Sequence, residues 1–159
     1  MKLILAFRHD TGSRVRYWIA RVTGSPVHVA NWFTGDYVDA VIEADWHGVT
    51  RRPSALVFAD QNAQWSFIEV PMDAAQVHAT YLYALNQVGK RYDRLGVLFH
   101  WWAGRRAGLS LSRWFCSKLS VAVLRYGGID MQPARAAAWT PRALWDLCAP
   151  WRAPQPESN

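Results

Sequence analysis

The chain has 159 residues, of which 51% are hydrophobic and 19% charged, and its net charge is +6. This composition is typical of one folded domain with an apolar core and argues against a disordered chain. No apolar run approaches the roughly 20 residues of a membrane-spanning helix, and two cysteines are too few for a disulfide framework. The positive charge favours anionic partners, but no tight basic run occurs, so no nucleic-acid interface is predicted.

The first half of the chain is predicted to consist mainly of strands. Its opening apolar run stops after five residues, before Arg8, which is too short for the core of a signal peptide. We therefore expect a chain that is cytoplasmic as synthesised, and delivery to an envelope would need another route. Apolar spacing over residues 14–22 predicts one helix. Runs of strand-forming residues between turn signals predict strands over 2–8, 27–33, 37–45, 49–52 and 65–70.

The second half is predicted to be mainly helical. Its expected elements are helices over 74–88, from 92 onward, over 117–126 and over 141–147, with a loop over 104–112. Together the elements predict an α+β fold in which one antiparallel sheet packs against helices. We expect a single domain over residues 1–150 and a flexible tail over residues 151–159.

Cys116 is the candidate nucleophile, because it lies where a loop turns into a predicted helix. The first turn of a helix has free N–H groups and the positive end of the helix dipole. Both favour a thiolate, which is the reactive form of cysteine, and the free N–H groups can also bind an oxyanion. A buried structural cysteine is the alternative interpretation. Cys148 lies near the end of the last helix, where the dipole disfavours a thiolate, and is expected to be structural.

His28 is the candidate base, since a cysteine nucleophile needs one and this histidine lies within a predicted hairpin strand. With the turn placed at residues 35–36, His28 lies directly opposite Glu43 on the next strand, and both side chains share one face. A carboxylate in that place can orient the imidazole ring. Asp45 and Asn31 remain alternatives for this third role. No pair of His and Cys residues has zinc-ligand spacing, so neither a metal nor another cofactor is predicted.

The order of these residues resembles the circularly permuted branch of the NlpC-type papain-like cysteine peptidases. That group includes YiiX-like proteins and relatives of lecithin:retinol acyltransferase. The matching segments are Val27-His28-Val29, Ile42-Glu43-Ala44, Gly48-Val49, Gly89-Lys90-Arg91-Tyr92-Asp93 with Gly96, Trp114-Phe115-Cys116-Ser117, and Thr140-Pro141 with Leu144. Two positions depart from the pattern of the relatives: Lys118 stands where an acidic residue is common, and Val27 where serine is common.

The resemblance implies a papain-like fold and a cysteine hydrolase that cleaves an amide bond through Cys116, His28 and Glu43, with a thioester acyl-enzyme. The substrate would be a peptide or acyl-amide, such as a cell-wall peptide or an isopeptide. Tyr92 and Trp114 are expected to line the substrate groove. The resemblance also favours a monomer without integral membrane contact. A lipid acyltransferase or thioesterase of the same fold, and a non-catalytic binding module, are the alternatives.

Overall fold

The computed structural model describes residues 1–10, 12, 17, 20–21, 24–35, 37–93, 113–132 and 139–152. Within these residues the strands are β1 (Lys2–Arg8), β2 (His28–Gly35), β3 (Val38–Asp45), β4 (Gly48–Arg52), β5 (Trp65–Glu69), β6 (Arg91–Tyr92) and β7 (Arg113–Trp114). The helices are α1 (Ser54–Val57), α2 (Ala74–Leu85), α3 (Cys116–Tyr126) and α4 (Pro141–Leu147), and a 3-10 helix covers Ala149–Trp151.

Five strands form one sheet in the order β4-β3-β2-β1-β5, and every neighbouring pair in it is antiparallel. The short strands β6 and β7 pair in parallel beside it. This arrangement confirms the predicted α+β class, with an antiparallel sheet and helices packed against it.

The main hydrophobic core lies between one face of the sheet and the helices α2, α3 and α4. Side chains alternate along a strand, so Leu3, Leu5 and Phe7 of β1 all face the helices and are fully buried. Burial of each such side chain contributes about 1.5–3 kcal/mol. Helix α3 is buried along most of its length and packs against β2 and β3. Its N-terminus is therefore held close to the strands that carry His28 and Glu43.

The helix starts follow from local sequence, with one informative exception. Asp73 accepts a hydrogen bond from the Gln76 backbone N–H, and the Gln76 side chain accepts one from the Asp73 N–H, which caps α2 at both groups. Thr140 caps α4 through the Ala143 N–H. The residue before α3 is Phe115, whose side chain cannot cap the helix. The first N–H groups of α3 are thus left for other partners.

Two sequence predictions differ from the structure. Tyr92 was expected to open a helical stretch, but it lies in β6, where the next residue, Asp93, donates its N–H to the Trp114 carbonyl. This pairing between segments that are distant in sequence overrides the local helical pattern. Helix α2 ends at Leu85 rather than at residue 88, because the chain turns before Gly89, whose φ is +86°.

Parts of other predicted elements lie outside the described residues. In the helix predicted over 14–22, Tyr17, Ala20 and Arg21 are helical, and the remaining positions are not described. The predicted loop over 104–112 and the tail from residue 153 also fall outside. Within the predicted tail over 151–159, Trp151 ends a 3-10 helix and the Arg152 guanidinium lies 3.9 Å from the centre of the Trp145 ring. Within the described ranges, no helix has the length and apolar character needed to cross a membrane.

Candidate active site

A cavity of about 490 Å³ lies beside the start of β2, the end of β3 and the N-terminus of α3. Its volume is in the range of small-molecule and peptide side-chain sites. Cys116, His28 and Glu43 all line it. The rest of the wall combines aromatic rings with charged groups, among them Trp46, Trp65, Tyr92, Arg8, Asp45 and Arg52.

Cys116 is the first residue of α3 and is 7% exposed. Its sulfur interacts with the backbone N–H groups of Val29 and Ser117 and with the His28 ring. One donor therefore comes from β2, one from the helix start and one from the imidazole. This set of donors suits a negatively charged sulfur better than a neutral thiol.

The electrostatic environment favours the thiolate at Cys116. Burial alone would raise its pKa, but the hydrogen bond and charge of His28, with the two backbone donors, outweigh burial and lower the pKa. Cys148 shows the opposite case in the same fold. It is fully buried, and burial raises the pKa of its thiol to about 12. The two cysteines thus differ in the way the sequence predicts.

His28 and Glu43 are hydrogen-bonded, with 2.7 Å between His28 Nε2 and Glu43 Oε2. The predicted register of the hairpin is nevertheless wrong by two residues. Asn31 pairs with Ile42 in the ladder, and this register, continued along the strands, places Glu43 opposite Ala30. His28 and Glu43 are therefore diagonal neighbours on one face rather than directly opposed. A shift of two residues keeps side chains on the same face, and the long Glu43 side chain spans the diagonal.

The bond between His28 and Glu43 is one of two that the Glu43 carboxylate makes. Its Oε1 accepts a hydrogen bond from Arg52 Nη2, and its side chain is only 4% exposed. Burial alone would raise the pKa of Glu43, but the hydrogen bonds and charges of His28 and Arg52 outweigh burial and lower it to about 2. Glu43 is consequently an anion at neutral pH.

His28 is held as a cation by its two anionic neighbours. Burial disfavours the charged ring, but hydrogen bonds to Cys116 and Glu43, together with their charges, outweigh burial and raise its pKa to about 10. Because Nε2 is engaged by Glu43, Nδ1 is the ring nitrogen that remains for the sulfur. The lowered pKa of Cys116 and the raised pKa of His28 thus favour a thiolate–imidazolium pair with a carboxylate behind the ring, the arrangement that activates a cysteine nucleophile.

Tyr92 lies at the cavity wall beside Cys116, as predicted, although in a strand rather than a helix. Its position depends on Gly48, whose φ is +116° and where an added Cβ would lie 2.6 Å from the Lys90 carbonyl oxygen. Only glycine allows this close approach, which is completed by the Val49 N–H donating to that oxygen. Burial and nearby negative charges raise the pKa of the Tyr92 phenol, so it stays protonated and can donate.

The other predicted residues are placed differently. Trp114 is 6% exposed and does not line the cavity; its ring lies under the ammonium groups of Lys90 and Lys118. Asn31 points to the helix side of the sheet, where its Nδ2 donates to the Ile42 carbonyl, so it does not face the imidazole. Asp45 lines the cavity, but its Oδ1 accepts the His47 backbone N–H.

Two arginines in the cavity wall were missed by sequence reasoning. Arg8 is held by Asp10 and by Asp60, so its charge is already balanced. Arg52 contacts Glu43, as described above. Strand alternation offers a signal for Arg52, because a strand over 49–52 that pairs with β3 can place its side chain on the Glu43 face. The signal requires the correct register, which the sequence does not specify.

Among the described residues, no group of three or more His, Cys, Asp and Glu side chains is arranged to bind a metal ion. A scan of the chain against protein-family models gives no match, and no curated protein matches it. The geometry of the site therefore carries the functional argument by itself.

Proposed function

We propose that this protein is a cysteine hydrolase that cleaves an amide bond, with Cys116 as nucleophile, His28 as acid and base, and Glu43 as the group that orients His28. The proposal includes the circularly permuted papain-like fold that the order of these residues resembles. The observation that carries it is the row Cys116–His28–Glu43 along a cavity at a helix N-terminus, in which His28 is hydrogen-bonded to Glu43 and interacts with the Cys116 sulfur.

In the first step the Cys116 thiolate attacks the carbonyl carbon of the substrate and a C–S bond forms. The uncapped first turn of α3 and the protonated Tyr92 hydroxyl on the cavity wall supply N–H and O–H donors for the oxyanion. The imidazolium of His28 then gives its proton to the leaving nitrogen as the C–N bond breaks. A thioester between the substrate acyl group and Cys116 remains.

In the second step water hydrolyses this thioester. Neutral His28 takes a proton from the water as it attacks, and the C–S bond breaks to release the carboxylic acid and the Cys116 thiolate. The proton then rests on His28, and the thiolate–imidazolium pair is restored. Glu43 stabilises the imidazolium at the end of this step and fixes the ring through Nε2 in both steps.

A peptide-type substrate, such as a cell-wall peptide or an isopeptide, is the first candidate. The cavity wall carries charged groups that suit a polar chain, and the +6 net charge of the protein favours approach to an anionic wall polymer. Binding of an anionic substrate should weaken as salt is added, which provides a simple check on this part of the proposal.

A lipid acyl group is the second candidate, because an aromatic cluster adjoins the cavity. Trp32, Phe58, Trp65 and Phe67 contact one another edge to face, with ring centres 5.1–5.7 Å apart. Trp65 belongs both to this cluster and to the cavity wall, and Phe67 is 49% exposed. An acyl chain that leaves the catalytic sulfur on this side would meet an apolar surface.

The thiolate–imidazolium pair is tested by alkylation with iodoacetamide between pH 5 and 9, with each label located by mass spectrometry. Cys116 should react well below the pH of about 8.5 at which a free thiol ionises, whereas Cys148 should react slowly throughout. His28→Ala should move the reaction of Cys116 to higher pH. If Cys116 reacts like an ordinary thiol and His28→Ala has no effect, the hydrolase proposal is wrong.

The two substrate classes are separated by parallel assays. One follows new amino groups in a digest of cell-wall peptides, and the other follows release of a labelled acyl chain from lipid vesicles. Cys116→Ala is the negative control in both. Activity on vesicles alone would support the acyl-lipid candidate. If neither substrate is turned over in a way that depends on Cys116, protein isopeptides are the next substrates to test.

A further inference from the structure

Arg52 joins the catalytic residues into a longer row that crosses three strands. The register of β3 with β4 pairs Glu43 with Thr50 and Val41 with Arg52. The register of β2 with β3 places Ala30 opposite Glu43. His28 lies two residues before Ala30 on β2, in the direction along the strands that leads away from Arg52. His28, Glu43 and Arg52 therefore lie on one straight diagonal of the sheet. Glu43 stands in the middle of this diagonal and is hydrogen-bonded in both directions.

The two partners of Glu43 differ in exposure. The His28 side chain is 17% exposed and the Arg52 side chain 44% exposed, while the carboxylate between them is 4% exposed. A buried carboxylate with only an imidazolium as partner holds the imidazolium proton very strongly. A second cation on the other oxygen weakens that hold, because it competes for the same negative charge and repels the imidazolium.

We propose, on the basis of the function proposed above, that Arg52 weakens the hold of Glu43 on the His28 proton. Its charge on the second oxygen of Glu43 keeps His28 able to release that proton. Both steps of the mechanism need this release and recapture. A histidine that never gives up its proton can neither protonate the leaving nitrogen nor act as base toward water. Arg52 touches no reacting atom, so it is a positioning residue that acts through Glu43.

Other charged groups also face this row and bear on its titration. From β1 comes Arg8, from β3 Asp45, from the β3–β4 turn His47, from β6 Tyr92 and from α3 Cys116. Arg8 is neutralised by Asp10 and Asp60, and Asp45 lies 3.9 Å from Arg52 Nη2. Arg52 is thus the only cation among the described residues that is hydrogen-bonded to Glu43 besides His28.

The test is an NMR titration of the His28 ring in the full chain, with Arg52→Gln and Arg52→Lys. Glutamine keeps a donor for Glu43 but removes the charge, so the midpoint of His28 should rise by about one pH unit, as expected for loss of one partly exposed neighbouring cation. Lysine keeps the charge and should leave the midpoint close to that of the unchanged protein. Arg51→Met is the matched control, because Arg51 is exposed, neighbours Arg52 and does not line the cavity.

A merely structural role of Arg52 predicts the opposite shift. If loss of Arg52 loosened the site, Glu43 would hold the imidazolium less well and the His28 midpoint would fall. A fall or no change in Arg52→Gln therefore overturns the proposal, provided that far-UV circular dichroism shows a folded chain. If Arg52→Gln does not fold, Arg52→Met, which also removes the charge, takes its place and is judged by the same rise in the His28 midpoint.

Alkylation of Cys116 separates this proposal from the proposed function. Arg52→Gln should still react with iodoacetamide at low pH, since the thiolate–imidazolium pair is retained, while its turnover of an amide substrate falls by about tenfold, the equivalent of one pKa unit. If Cys116 does not react at low pH in the protein without substitutions, the result contradicts the hydrolase function itself. A reactive Cys116 with an unmoved His28 midpoint in Arg52→Gln contradicts only the role of Arg52.

Discussion

Replacing Glu43 by glutamine tests the coupling of the site most directly, because the change keeps the shape of the side chain and removes its charge. Glu43 Oε2 lies 2.7 Å from His28 Nε2, and the two side chains are 4% and 17% exposed. A hydrogen bond between charged groups contributes about 1.5–3 kcal/mol, equivalent to about 1–2 pKa units. The pKa of His28, about 10 in this fold, should therefore fall to roughly 8–9 in Glu43→Gln.

The sign of the stability effect follows from the same pKa. The folded pKa of His28 lies above its ordinary 6.5, so protonated His28 stabilises the fold fully below pH 6.5 and loses this contribution as the pH rises through about 10. In Glu43→Gln the contribution should be smaller, and its loss, which again begins near pH 6.5, should be complete at lower pH. The free energy of unfolding at pH 7 should also decrease, since Arg52 and His28 lose their shared acceptor.

The assay is NMR titration of the histidine ring resonances, with the His28 signal assigned by its disappearance in His28→Ala. Asp45→Asn is the matched control, because Asp45 is a second carboxylate in the cavity wall that is not hydrogen-bonded to His28. Its substitution should move the His28 midpoint much less than Glu43→Gln. Equal shifts in both variants, or no shift in Glu43→Gln, would refute the idea that the 2.7 Å contact controls His28.

Three further outcomes are expected. Tyr92→Phe should reduce turnover of an amide substrate by about 100-fold, the usual cost of one oxyanion donor, while the rate of Cys116 alkylation stays unchanged. The pKa of Glu43 is lowered from 4.5 to about 2, which corresponds to a contribution of about 3 kcal/mol to the free energy of unfolding. This contribution is present above pH 4.5 and is lost as the pH falls through about 2. Urea unfolding between pH 5 and 3 should show the onset of the loss. Thr140→Ala should lower the free energy of unfolding by about 1 kcal/mol through loss of the α4 cap, whereas Thr140→Ser should restore it.

The contact between His28 and Glu43 on the hairpin was predictable because the alternation of side chains along a strand tolerates a register error of two residues. The turn was predicted one residue too early, which shifts the strand pairing by two residues, yet His28 and Glu43 remained on one face. A register error of one residue would have placed Glu43 on the helix side with Asn31. The sequence specifies the face through its buried residues, but the exact partner across the strands depends on turn geometry that Gly35 and its neighbours do not determine uniquely.

The residues that come from distant segments were less predictable. Tyr92 and Trp114 were both expected at the groove because of their sequence neighbours, and only Tyr92 lines the cavity. Its placement depends on the parallel pairing of β6 with β7 and on the close approach of Lys90 to Gly48. Parallel pairing of two-residue strands leaves no periodic pattern in a sequence, so such contacts are visible only in the folded chain.

The energetics of the row from Cys116 to Arg52 favour a chemical role over a structural one. Burial of ionised groups carries a desolvation cost that their mutual attraction offsets only in part, and well-packed apolar residues usually stabilise a fold as well or better. Here a thiolate, an imidazolium and a carboxylate are buried next to one another, and a half-exposed guanidinium completes the row. Cys148 shows that the same fold also buries a thiol whose pKa is raised to about 12 by burial. The charges around Cys116 are therefore better explained by the proposed reaction, in which a proton must move between sulfur, ring and substrate, than by a contribution to stability.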